Sequence, residues 1–168
     1  LAWYGELDNP RLVEEEDSMK GSYLGPEYTE EEIKKSLESL GANYKVFYNQ
    51  DIINKTAEAI SKGKVVGWFQ GRMEFGPRAL GGRSILGDAR SEAMQKILNL
   101  KIKYRESFRP FAPSVTIEEV SNWFNLQCAS PYMLFVADIK KEHRHEMTSK
   151  EKNLFGIDKL NITRSKIP

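Results

Sequence analysis

Residues 70–90 hold four Arg, five Gly and one Pro, with little hydrophobic periodicity. No other feature limits the fold as much. Glycine admits backbone conformations closed to other residues, and proline fixes its own φ, so no long helix or strand runs through such a segment. The chain has to build short elements on either side and hold a shaped loop between them.

The flanks supply those elements. Thr29-Glu30-Glu31-Glu32 has the form of a capping box, and Ile33, Leu37 and Leu40 follow at helical spacing before Gly41, which predicts a helix over 30–40. Tyr44 to Tyr48 is rich in strand formers and reads as a short strand. Asp51 caps a second expected helix, with Ile53, Ala57 and Ile60 on one face and Gly63 at its end. Val65 to Phe69 reads as a buried strand. Beyond the glycine-rich stretch, Ser91 caps a helix carrying Ala93, Met94, Ile97, Leu98 and Ile102. A loop follows over 104–111, then a short strand from Ala112 to Val115. A second capping box, Thr116 to Glu119, opens a helix to about Phe124, and Met133 to Ile139 reads as another strand. The polar segment after Lys140 reads as a loop. This order of helices and strands is that of an α/β or α+β layer domain.

Composition sets the wider bounds. Apolar residues make up 40% of the 168 and charged residues 29%, enough for a core and too apolar for disorder. No apolar run reaches the length of a membrane helix. No basic-then-apolar leader is present, and the start at Leu1 and the connector-like Asn161 to Pro168 suggest part of a longer polypeptide. Cys128 is the single cysteine, which fits a reducing, cytoplasmic setting; it reads as an inert thiol, with a catalytic role as the alternative.

Net charge is +1, yet residues 62–109 carry eleven Lys and Arg against four Asp and Glu. The surplus of positive charge is interleaved with glycines, prolines and aromatics, so an anion is the natural partner. Two stretches concentrate it. The first runs from Gln70 through Gly71-Arg72-Met73-Glu74-Phe75-Gly76-Pro77-Arg78-Ala79-Leu80-Gly81-Gly82-Arg83 to Ser84. Glycines after a strand let backbone N–H groups converge on an oxyanion, and Arg78 and Arg83 offer planar forks for phosphate. It is not a Walker A loop: Gly76 and Gly81 are correctly spaced, but Gly82 occupies the lysine position. The bland alternative is a structural turn with surface arginines.

The second stretch runs from Asn99 to Ser114. Asn99 and Lys103, four apart, are expected on one helix face. Lys103 and Arg109 bracket the helix end and its loop, which Phe108 and Phe111 anchor and Pro110 and Pro113 stiffen. Glu106 either orients an Arg or simply pairs with Lys103.

With both stretches in view, Gly67 to Ser114 resembles the C-terminal region of the nodulation and antibiotic O-carbamoyltransferases. The matching pieces are Gln70 to Gly81, Arg83-Ser84-Ile85-Leu86, Lys101 to Glu106, and Phe108-Arg109-Pro110-Phe111-Ala112-Pro113. Tyr23-Leu24-Gly25-Pro26-Glu27-Tyr28 and Ser130-Pro131-Tyr132-Met133 extend the likeness over residues 23–133.

The resemblance implies a YrdC-like α+β domain over 23–168, an open twisted sheet with flanking helices that is incomplete at its C-terminal end. Residues 1–22 would be the tail of a metal-holding N-terminal transferase domain. It implies that carbamoyl phosphate and ATP, with Mg²⁺ on the nucleotide, become carbamoyl-adenylate for transfer to a hydroxyl of a sugar, an antibiotic or a lipo-oligosaccharide. Arg78, Lys103 and Arg109 would cradle carbamoyl phosphate, Arg83 and Ser84 would assist with phosphate oxygens, and Arg72 and Glu74 would either orient the loop or stand near nucleotide. Gly82 stands where many relatives carry Asn. The family continues with a His-Val-Asp-like motif that this chain does not reach, so the segment is expected to be inactive alone.

Converging two such anions needs several fixed cations, which is the expected toolkit for phosphoryl chemistry. The side chains of the two stretches are therefore expected to meet in a closed pocket. The competing function is a basic-groove RNA-binding module of the same fold. Tight Gly/Pro loops favour a small anion over nucleic acid. His143 and His145 read as part of a solvated loop, with a metal pair as the alternative. Trp68 and Trp123 read as core residues and Trp3 as a contact to the preceding domain.

Overall fold

A computed structural model describes residues 5–6, 15–160, 162 and 165–166. Its architecture is α+β: mixed helices around one small antiparallel sheet. Helix α1, Glu30–Ser39, begins as the sequence predicts. Thr29 Oγ1 accepts from the Glu32 N–H at 3.2 Å and Glu32 Oε2 accepts from the Thr29 N–H at 2.8 Å, while Gly41 closes the helix with a positive φ of 63°. Helix α2, Asn49–Ser61, starts two residues before Asp51, which lies inside the first turn and is not the cap. There its carboxylate faces the partial positive charge of the helix N-terminus.

Strands β1, Val66–Phe69, and β2, Arg83–Leu86, pair in the register Val66 with Leu86 through Phe69 with Arg83, and the Gln70 N–H extends the ladder to the Gly82 carbonyl at 2.9 Å. Residues 71–81 are thus the loop of a long β-hairpin. The second strand lies in the stretch whose lack of periodicity hid it.

Helix α3, Met94–Ile97, continues into a π-helix, Leu98–Lys103, which ends at Tyr104 in the left-handed region. Short 3₁₀ turns, Ile117–Glu119 and Lys141–His143, accompany α4, Val120–Trp123. The segment read as a loop after Lys140 also carries α5, Ser149–Lys152, and α6, Ile157–Leu160. Thr148 and Glu151 form a capping box there that the sequence reading overlooked.

Three expected strands are not strands. Residues 44–48, 112–115 and 133–138 find no pairing partner among the described residues, and Ile139 makes only an isolated bridge to Phe124. A strand is stable only when its N–H and C=O groups are paired and one face is covered. Here Val46, Leu134, Phe135 and Val136 stay exposed. The only buried hydrophobic residues among those described are Met94 and Leu98, against which Gly87 packs so closely that a Cβ there would meet Met94 Sδ at 2.9 Å. The ordered centre is therefore narrow: hairpin, Gly87, Met94 and Leu98, then Asn99. The expectation for Trp3 lies outside the described residues.

Candidate functional site

The hairpin loop is held from within by a carboxylate. Glu74, only 6% exposed, points back across the loop. Its Oε1 accepts from the N–H groups of Leu80 and Gly82, both at 2.7 Å, and both its oxygens accept from the Arg83 N–H at 3.1–3.2 Å. The remaining N–H of this run, that of Gly81, donates to Ser84 Oγ at 3.0 Å. Three of these four successive N–H groups do converge, as the glycine pattern predicts, but on the protein's own carboxylate. Burial pushes the Glu74 carboxyl up, and the backbone donors of Leu80, Glu74 itself, Arg83 and Gly82 outweigh it, holding the group below its ordinary value. Gly82 fits closely: a Cβ there would lie 2.6 Å from the Arg72 carbonyl oxygen and 3.2 Å from the Glu74 carboxylate, so either neighbour would have to shift.

Arg83 secures the same loop. Its Nη1 donates to the carbonyls of Gln70, Gly71 and Gly82 at 2.8–3.1 Å, and its guanidinium lies over the Phe69 ring at 3.3 Å. Arg72 donates to the Gly25 carbonyl and pairs with Glu27 at 3.4 Å. Residues 22–26 then run beside the loop, with Phe75 N–H on the Ser22 carbonyl, Gly25 N–H on that of Met73, and Met73 N–H on that of Pro26. Tyr23 Oη donates to the Leu80 carbonyl at 2.5 Å. Upstream, the Tyr132 hydroxyl donates to Asp17 and accepts from the Gly21 N–H at 3.1 Å. Within this dense set Arg78 is exposed and makes no hydrogen bond or ion pair with any described residue.

The second loop is held by an amide. Asn99 is fully buried, and its Nδ2 donates to the carbonyls of Ser107 and Arg109 at 3.0 and 2.8 Å. Its Oδ1 accepts from Arg105 Nε at 2.6 Å, and its carbonyl from the Arg105 N–H at 3.0 Å. Gln95 Nε2 adds donors to the carbonyls of Phe108 and Arg109. Arg105 lies over the Phe111 ring at 4.8 Å. Arg109 pairs with Glu106 at 2.8 Å, so Glu106 does orient an arginine. The Glu106 carboxyl is held low first by its own backbone N–H and then by Arg109.

Lys103 is exposed and unpartnered among the described residues. Asn99, four residues before it in the same π-helix, is buried. Phe108, expected as an anchor, is half-exposed.

Arg78, Lys103 and Arg109 therefore display their charges to solvent from two separately clamped loops. The expected closed pocket is not where these side chains lie. Two open depressions of about 400 Å³ each are lined elsewhere, one by Ile117, Val120 and Cys128 among others, one by Glu27, Tyr28, Thr29 and Arg72. His143 stacks on Trp123 with centroids 4.1 Å apart and its Nε2 meets the Asn122 carbonyl, a packing role. Trp68 is half-buried and its indole N–H donates to Gln70, and Cys128 is exposed. Among the described residues no three His, Cys, Asp or Glu stand together as metal ligands, and no helix is long and apolar enough to cross a membrane.

Sequence reasoning missed Asn99 as a hub and Gln95 altogether. The available signal was a lone amide inside the apolar run Ile97-Leu98-Asn99-Leu100, just as Glu74 is a lone acid between Met73 and Phe75.

Comparison with known proteins fits this arrangement. An uncharacterized protein of Synechocystis is 55% identical over 168 residues, covering 99% of this chain and 27% of that protein. Nodulation protein NolNO of Sinorhizobium fredii is 39% identical over 127 residues, 73% of this chain and 19% of its own. The 3'-hydroxymethylcephem-O-carbamoyltransferase of Streptomyces clavuligerus is 42% identical over 86 residues, 51% of this chain and 16% of its own. The chain thus spans about a quarter or less of the length of these curated relatives. Residues 57–152, which contain both clamped loops, match the family described as carbamoyltransferase C-terminus, and the chain belongs to that family.

Proposed function

We propose that this chain is the part of an O-carbamoyltransferase that binds carbamoyl phosphate and ATP and forms carbamoyl-adenylate for a hydroxyl acceptor. In this proposal residues 23–168 are the YrdC-like domain and residues 1–22 the tail of a transferase domain in the same polypeptide. One observation carries the proposal: Arg78 is exposed and pairs with none of the described residues, while Arg72, Glu74, Arg83 and Ser84 around it are all engaged. A rigid loop that leaves one guanidinium free is built to present it, and a free fork is the group that binds phosphate in two-point fashion.

Lys103 and Arg109 supply the second source of positive charge. Glu106 holds the Arg109 fork in place until an anion competes for it. Water would first cleave carbamoyl phosphate to carbamate and inorganic phosphate, and the three cations would neutralise the reacting phosphates while a carbamate oxygen attacks the α-phosphorus of ATP and pyrophosphate leaves. Catalysis of such a step is mostly positioning and charge stabilisation. A magnesium ion would arrive with the ATP, held by the nucleotide's own phosphates. Arg83 and Ser84 then serve the loop's shape more than the phosphate itself, and Arg72 ties the loop to residues 25–27.

Calorimetry with carbamoyl phosphate on the wild-type chain, Arg78→Ala and Lys103→Ala tests this. The expected result is binding by wild type and about tenfold weaker binding by each variant. Equal affinity in all three removes the site assignment. Salt-sensitive RNA binding without any response to carbamoyl phosphate would favour the nucleic-acid module instead.

A further inference from the structure

Neighbouring backbone N–H groups turned to one point are what protein loops use to hold phosphate. In this chain the point is already taken. Three of the donors, on Leu80, Gly82 and Arg83, meet the Glu74 carboxylate, and the fourth, on Gly81, meets Ser84 Oγ. Glu74 is buried, and Gly82 is pressed against both it and the Arg72 carbonyl, so no room remains beside it for a second anion. Arg83, next in sequence, turns its guanidinium away to the carbonyls of residues 70, 71 and 82.

We propose that Glu74 is the resident anion of this nest. It is a positioning residue that shapes the loop before any ligand arrives and directs ligand phosphate to the Arg78 side chain. The nest itself stands on the contacts above. Its consequence for the ligand rests on the reading of the chain as a carbamoyl-phosphate-binding domain. Removing the carboxylate should then leave an empty cradle that a free carboxylate can fill.

The test is thermal unfolding of the wild-type chain, Glu74→Ala and Glu74→Gln with increasing sodium acetate, against sodium chloride at equal ionic strength. Glu74→Ala is expected to melt lower and to regain several degrees saturably with acetate, because a ligand that binds only the folded state stabilises it. Wild type and Glu74→Gln, whose amide oxygen still fills the cradle, should show no acetate-specific shift. An acetate effect of the same size on wild type, or none on Glu74→Ala, overturns the proposal.

If Glu74→Ala does not fold even in acetate, Glu74→Asp replaces it. Its carboxylate ends one methylene short, and the Gly82 and Arg83 amides should exchange about tenfold faster than in wild type; unchanged exchange overturns the proposal. Carbamoyl phosphate calorimetry on the same samples keeps the two claims apart. Acetate rescue without carbamoyl phosphate binding by wild type sinks the functional reading and leaves the nest standing.

Discussion

The two clamped loops solve one problem by different means. The hairpin loop over 71–81 is tied by an ion, Glu74, and the loop over 104–110 by a neutral amide, Asn99. Both clamps are buried, each satisfies several backbone groups, and each leaves a cation exposed nearby. A buried carboxylate is stabilised only while it is ionised, whereas an amide does not titrate. The first loop is therefore sensitive to pH and to competing carboxylates, and the second is not. The ion carries a further consequence: it fills the backbone nest that would otherwise receive phosphate.

The sharpest way to break this comparison is Asn99→Ala. It orphans the Ser107 carbonyl, leaves that of Arg109 to Gln95 alone and frees the Arg105 side chain, and urea denaturation should show a loss of about 3 kcal/mol that is the same at pH 5 and pH 7. Glu74→Ala should cost about 2–3 kcal/mol near neutrality, since three N–H groups lose their acceptor. Its pH dependence has a definite sign. A carboxylate whose folded pKa lies below its ordinary 4.5 stabilises the fold above that value, and the contribution is lost as pH falls through the depressed pKa. Wild type and Glu74→Ala should thus converge in stability in acid. A gap that persists there would mean that the clamp is not ionic.

Gly82→Asn sharpens the comparison by sterics. The new Cβ would press on the Arg72 carbonyl, and a loss of about 2 kcal/mol is expected in denaturant melts, with the Asn99 loop unaffected. The smallest effect belongs to the link between the loops. Arg90 pairs with Asp88 in two-point fashion and holds its carboxyl down to about 2. Asp88→Asn should cost about 1 kcal/mol at neutral pH, discounted because Arg90 is largely exposed. That difference should vanish as pH drops from 3.8 toward 2.

The sequence made some of this legible. Thr29 with Glu32, and Gly41 and Gly63 after their helices, are local signals that act through neighbouring backbone groups, and each appears where expected. The family likeness was legible too, because Gln70 to Gly81 is a long run. Pairing was not. Met133 to Ile139 has the composition of a strand, but composition names no partner, and pairing depends on residues far away in the chain. The same distance hid β2, since Arg83 to Leu86 becomes a strand by lying opposite Val66 to Phe69.

At the site, residue types were legible and their duties were not. Arg83 and Arg78 look equivalent in sequence, five positions apart on the same loop. Only the fold shows that Arg83 holds carbonyls while Arg78 holds none of the described residues. Glu74 was read as either orienting the loop or standing near nucleotide; the fold gives it the first role, through partners six to nine residues ahead, a separation that no short motif encodes.

The most direct measurement is an acid titration of the wild-type chain followed by amide NMR, watching the N–H groups of Leu80, Gly82 and Arg83 together with that of Arg105, which donates to the Asn99 carbonyl. If a resident carboxylate holds the hairpin loop, the first three shift together in one step below pH 4.5 while Arg105 stays put. Three amides that pass through that range without a shared step, or that already exchange freely near neutral pH, would show that no such anion sits in the nest.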